Sequence, residues 1–140
     1  MAKRFLIGCT FAALAALFFS CASGPVVIPE DLKPAEFFQK AQESSDRNDY
    51  DTAKLYYEAL IERYPGDVQN VIAAQYEIAF IAYRQGNTVD AEARFRGIIA
   101  QYEAEGEEAL PRWPLILSQK LLTRIETERA EAGAKAQPQE

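Results

Sequence analysis

A thiol, a few adjacent carboxylates and a run of aromatic rings are the groups in this sequence that could carry chemistry. Cys21 closes a charge-free apolar run from Phe5 to Phe19, and the other cysteine, Cys9, lies inside that run. There is no histidine. A His-based triad, a thiolate nucleophile and a His or Cys metal cluster are therefore excluded beyond residue 21. Carboxylates pair at Glu107 and Glu108, and at Glu126 and Glu128 with one residue between. Both pairs sit among other charges, and nothing beside them would desolvate one member, as acid–base work requires. Gly66, Gly86, Gly97 and Gly106 are isolated, without the cluster that cradles phosphate. No catalytic residue, no metal ligand and no cofactor is expected, and an enzyme is the class least suited to the chain. Binding chemistry remains. Tyr76, Phe80 and Tyr83 follow one another at spacings of four and three, with Arg84 after them. Aromatic rings and arginine carry much of the binding energy at protein surfaces. A tyrosine hydroxyl can also satisfy a partner's backbone while its ring is buried.

Those rings need helices to present them, and the chain announces its helices twice. Asn48 to Pro65 reads NDYDTAKLYYEALIERYP, and Gly86 to Glu103 reads GNTVDAEARFRGIIAQYE. The two align without a gap at an offset of 38 residues: Ala53 on Ala91, Tyr57 on Phe95, Leu60 on Ile98, Ile61 on Ile99 and Tyr64 on Tyr102. A fixed period of this size marks a stacked-repeat architecture. Apolar residues at spacings of three and four predict helices from Pro34 to about Ser45, Tyr50 to Tyr64 and Val68 to Arg84. A fourth, capped by Asn87 or Thr88, ends at Gly106, and a fifth runs from Ala109 to Arg129. The stripe expected on the fifth is Trp113, Leu117, Leu121 and Ile125. Ala41, Ala53, Ala79 and Ala91 are small where helices must approach closely, and Tyr57 and Phe95 fill the space between hairpins. No segment shows the alternation of a strand. From Ala130 to Glu140 there is no large apolar residue, so residues 131–140 are expected to be a disordered tail.

The start of the chain gives an address. Lys3 and Arg4 precede the apolar run, which at fifteen residues is too short to span a bilayer and suits an export signal. Leu17 to Cys21 resembles a bacterial lipoprotein signal, although Phe18 stands where that family usually has Leu. The resemblance implies that residues 1–20 are removed and that Cys21 carries diacylglyceryl and N-acyl chains. Cleavage after Ala22, with Ser20 and Ala22 as the small residues, is the alternative. Loss of residues 1–20 takes two basic residues and no acid, moving the net charge from −6 to −8. Such a surface repels phosphate backbones and anionic headgroups, so nucleic acid is not an expected partner. Residues 21–33, punctuated by Pro25 and Pro29 and followed by Pro34, read as a non-helical tether.

The repeated residues resemble the tetratricopeptide repeat family. The matching positions are Phe37, Ala41, Tyr50, Ala53, Tyr57, Leu60 and Pro65 in residues 34–67. In residues 68–105 they are Ile78, Ala79, Ala91, Phe95 and Ile98. Lys40, Gln75 and Glu103 depart from the pattern, and the period is longer than usual. That period and the endings ERYP and AQYE are similar to those of envelope repeat lipoproteins, including outer-membrane assembly lipoproteins. The resemblance implies an all-α fold: two antiparallel helix hairpins stacked in a right-handed solenoid, with residues 106–130 as a capping helix or half repeat. It also implies that first helices line a groove, which would gather Tyr76, Phe80, Tyr83 and Arg84 with Phe38, Gln42 and Ser45. Alternatively the closing helix covers the stripe with Trp113, Ile116 or Leu117. The function implied is a lipid-anchored adaptor that holds envelope proteins or peptides at the periplasmic face of the outer membrane. The alternative is a structural subunit that forms a homo-oligomer through its repeat ends.

Overall fold

The same local device starts three of the helices. In the computed structural model, which describes residues 26–106 and 110–136, α2 (Tyr50–Arg63), α3 (Val68–Arg84) and α4 (Thr88–Glu105) each follow a capping Asp or Asn. The side-chain oxygens of Asp49, Asp67 and Asn87 accept from the backbone N–H groups of Thr52, Asn70 and Asp90 at 3.2, 3.2 and 3.3 Å. Each cap satisfies one donor that the first helical turn leaves free. The first helix, α1 (Pro34–Asp46), begins at proline instead, and Glu36 Oε2 accepts from the Lys33 N–H at 2.8 Å. The tight turns before α2 and α4 both need a left-handed residue. Asn48 supplies it at φ 61° and Gly86, 38 residues later, at φ 77°. The fifth helix, α5 (Arg112–Ala136), completes an all-helical chain with no strand among the described residues.

Neighbours in sequence are neighbours in space, α1 against α2, α2 against α3, α3 against α4 and α4 against α5. The core forms in two parts. Phe37 and Ala41 of α1, Ala53, Tyr57 and Leu60 of α2, and Ala74, Ile78 and Ile81 of α3 make one. Ile72, Tyr76 and Ala79 of α3, Ala91, Phe95, Ile98 and Tyr102 of α4, and Leu115, Leu122 and Ile125 of α5 make the other. The α3 helix therefore buries two faces, which is why its sequence is apolar almost all round. Ala41, Ala53, Ala79 and Ala91 are fully buried at the close approaches.

The structure differs from the sequence expectation in three places. On α5 the buried residues are Pro114, Leu115, Ser118, Leu122 and Ile125, whereas Trp113 and Leu117 of the expected stripe are exposed at 41% and 36%. Leucine and isoleucine stand on both sides of this helix, so spacing alone does not choose its inner face. Next, α5 continues to Ala136, so residues 131–136 of the expected tail are helical, and residues 137–140 lie outside the described part. Alanine and long charged side chains are good helix formers, and they carry the helix past its last core contact.

The third difference concerns the tether. Residues 26–33 contain no helix, but they are not free. Leu32 is buried, its carbonyl accepts from the Tyr64 hydroxyl at 2.7 Å, and Arg63 donates to the carbonyls of Pro29 and Ile28. Backbone without secondary structure keeps its carbonyls available, and the end of α2 uses them. Residues 1–25, with the expected signal and Cys21, lie outside the described residues.

Candidate binding groove

The C-terminal turns of α1 and α3 enclose a cavity of about 260 Å³. Gln42, Ser45 and Asp46 line it from α1, and Glu77, Phe80, Ile81 and Arg84 from α3, with Tyr57 of α2 between them. Four of the residues expected at the groove, Gln42, Ser45, Phe80 and Arg84, thus meet at one place. Phe38 lies next to it, half-buried, its ring edge-on to Tyr57 with centroids 5.4 Å apart. The guanidinium of Arg84 lies 5.1 Å from the ring centroid of Tyr50, a cation–π contact that fixes the end of α3 over the start of α2.

Two expected residues are elsewhere. Tyr76 is only 6% exposed and belongs to the second core, against Phe95 at 5.9 Å and edge-on to Trp113 at 5.1 Å. The closing helix therefore covers the first ring of the stripe. Tyr83 is half-buried against the same core and does not line the cavity. Phe80 stands between the two tyrosines, 6.1 Å from Tyr76 and 6.4 Å from Tyr83, and is the ring that reaches the groove.

The groove stripe on α3 is Glu77, Phe80, Ile81 and Arg84, one residue round from the aromatic series. Sequence reasoning missed Asp46, Tyr57, Glu77 and Ile81. A signal for Glu77 was present: it precedes Phe80 by three and Arg84 by seven, and so shares their helix face.

Burial raises the carboxyl of Glu77 above the usual carboxylate range. Burial also raises the Tyr57 phenol, and the carboxylates of Glu77 and Asp46 raise it further. Tyr76 is pushed up to about 12, by burial first and then by Glu77. Both phenols stay neutral at physiological pH and keep a proton to donate.

A second crevice, between α2 and α4, is larger at about 370 Å³. Its cations are already engaged, Lys54 with Asp51 at 3.0 Å and Arg94 with Asp90 at 2.8 Å. Among the described residues no group of His, Cys, Asp or Glu could hold a metal ion, and no helix is long and apolar enough to cross a membrane.

The outer membrane lipoprotein family YfiO matches residues 30–113, both hairpins and the first two residues of α5. The chain belongs to this family. Family membership associates it with the bacterial envelope. An uncharacterised protein of Treponema pallidum (strain Nichols) is 38% identical over 103 residues, covering 71% of this chain and 41% of that protein. The chain thus spans less than half the length of this relative. No solved structure matches it. Within the YfiO match fall every residue that lines the α1–α3 cavity and every core residue of the two hairpins.

Proposed function

We propose that this protein is a lipid-anchored adaptor that holds a segment of another envelope protein in the groove between α1 and α3. The observation that carries the reading is the cavity itself, where aromatic, amide, hydroxyl and charged side chains from three helices converge. Such a mixture suits recognition of a polypeptide: rings supply contact area and polar groups fix register. The anchor is the acylated Cys21, and membership of an outer membrane lipoprotein family supports it. No separate cofactor takes part. The chain works at the periplasmic face of the outer membrane.

Self-association is the second reading, favoured by Trp113, Ile116 and Leu117, which α5 exposes at 41%, 50% and 36%. Three partly exposed side chains are a small patch beside the roughly 1,200–2,000 Å² that a stable interface buries. The adaptor reading is therefore preferred.

A photo-reactive residue placed at Gln42, and separately at Lys54 in the other crevice, tests it in intact cells. Cross-links to an envelope protein from Gln42 and none from Lys54 are expected. Equal labelling from both would remove the groove as the binding site, and a product of two copies of this chain would favour self-association. For the anchor, the wild type should enter the detergent phase and resist a salt wash, because two or more acyl chains hold firmly where one does not. Cys21→Ser should leave the protein soluble or unprocessed. Release of the wild type by salt alone would count against lipidation.

A further inference from the structure

Glu77 is half-buried in the α1–α3 cavity and has no hydrogen bond or ion pair among the described residues. A carboxylate drawn out of water without a partner is costly, so a structure that keeps one there leaves an interaction unmade. Three further features favour a positive charge at the same place. Asp46 adds a second carboxylate to the lining, against a single lining guanidinium, Arg84, which is laid over Tyr50. The last turns of α1 and α3 border the cavity, and the C-terminal end of a helix dipole is negative. The Phe80 ring lines the cavity, and an aromatic ring attracts a cation that reaches its face.

An independent observation concerns Tyr57. It is only 1% exposed, lines the cavity, and its hydroxyl has no hydrogen-bond partner among the described residues. Burial and the neighbouring carboxylates hold it in the neutral form. It can accept from an ammonium or guanidinium N–H, or donate to a backbone carbonyl. At about 260 Å³ the cavity is below the roughly 300–1,000 Å³ typical of small-molecule sites, and it suits one long side chain.

We infer that the groove recognises a Lys or Arg side chain on an extended segment of the partner protein, with Glu77 as counter-ion, the Tyr57 hydroxyl as second polar contact and Phe80 as the wall. The inference rests on the groove being the binding site, and it names the chemistry of what enters. The net charge, −6 for the full sequence and −8 without residues 1–20, would draw such a segment in.

Selection of octapeptides from a random library on the detergent-purified protein tests it, with Gln42 photo-labelling to report where they bind. Peptides that block labelling should share a Lys or Arg at one position. Exchanging that Arg for citrulline, or the Lys for norleucine, should weaken binding about tenfold, as for loss of a charge-assisted contact. Glu77→Gln should bind the Arg and citrulline peptides alike, and Tyr57→Phe, which keeps the ring, should weaken both. Peptides that block Gln42 labelling without a Lys or Arg would overturn the inference and leave the groove standing. The inference fails in the same way if wild type binds the citrulline peptide as well as the Arg one, a comparison that needs no protein variant. Failure to select any peptide that blocks Gln42 would remove the groove and the inference together.

Discussion

Ser118 is fully buried on the inner face of α5, and its Oγ has no hydrogen-bond partner among the described residues. Burying a hydroxyl without a partner costs about 1–3 kcal/mol. Ser118→Ala should therefore raise stability by about 1 kcal/mol in urea melts, and a loss of stability would show that the hydroxyl has a partner after all. Glu77 works through charge. Its carboxyl is raised in the folded state, so the fold binds a proton more tightly than the unfolded chain does. The contribution is favourable to folding below the unfolded carboxyl value and is lost as the pH rises through the folded one. Glu77→Gln should then raise the melting temperature at neutral pH, with the gain vanishing below about pH 4, where both states are protonated. A gain that persists in acid would place its cause outside the charge.

At the scale of elements, α5 is where spacing and packing disagree. Leu122 belongs to the second core and is 7% exposed, whereas Ile116 is exposed at 50%. Leu122→Ala should cost about 2–5 kcal/mol, and Ile116→Lys should change stability by less than about 0.5 kcal/mol. The reverse order would mean that the helix is turned the other way. Exposed ion pairs decorate the α4–α5 contact, including Arg96 with Glu126 at 2.9 Å and Arg129 with Glu92. Pairs so open to solvent contribute little, and apolar packing sets the orientation. The repeated tyrosines act at the same scale. Tyr64 donates to the carbonyl of Leu32, just before α1, and Tyr102 donates to that of Pro111, just before α5, at 2.6 Å. One sequence position thus secures the approach to two different helices.

In the whole molecule, α3 belongs to both halves of the core, so neither hairpin can lose its packing without exposing an α3 face. Unfolding should be a single transition. Far-ultraviolet circular dichroism reports the five helices of the described residues together, and fluorescence reports Trp113, the only tryptophan in the sequence, on α5. The two urea curves should coincide. A tryptophan transition at lower urea would show α5 detaching first, and the shared-core account would fail.

Most of the hairpin architecture was legible in the residues. The cap at Asn87 and the stop at Gly106 act within a few residues of chain, where backbone donors and side-chain oxygens meet whatever the rest of the molecule does, and the 38-residue repeat carries the same pattern into both hairpins. The rotation of each helix about its axis was not legible where two apolar stripes compete. On α5 both sides carry leucine or isoleucine, and only packing against α3 and α4 selects Leu115, Leu122 and Ile125. On α3 the visible series was Tyr76, Phe80 and Tyr83, yet the closing helix takes Tyr76, and the groove receives Glu77. Periodicity reports that a face is apolar. Which neighbour covers that face, and so which polar group is left beside the opening, depends on contacts between residues far apart in sequence, and only the tertiary structure decides it.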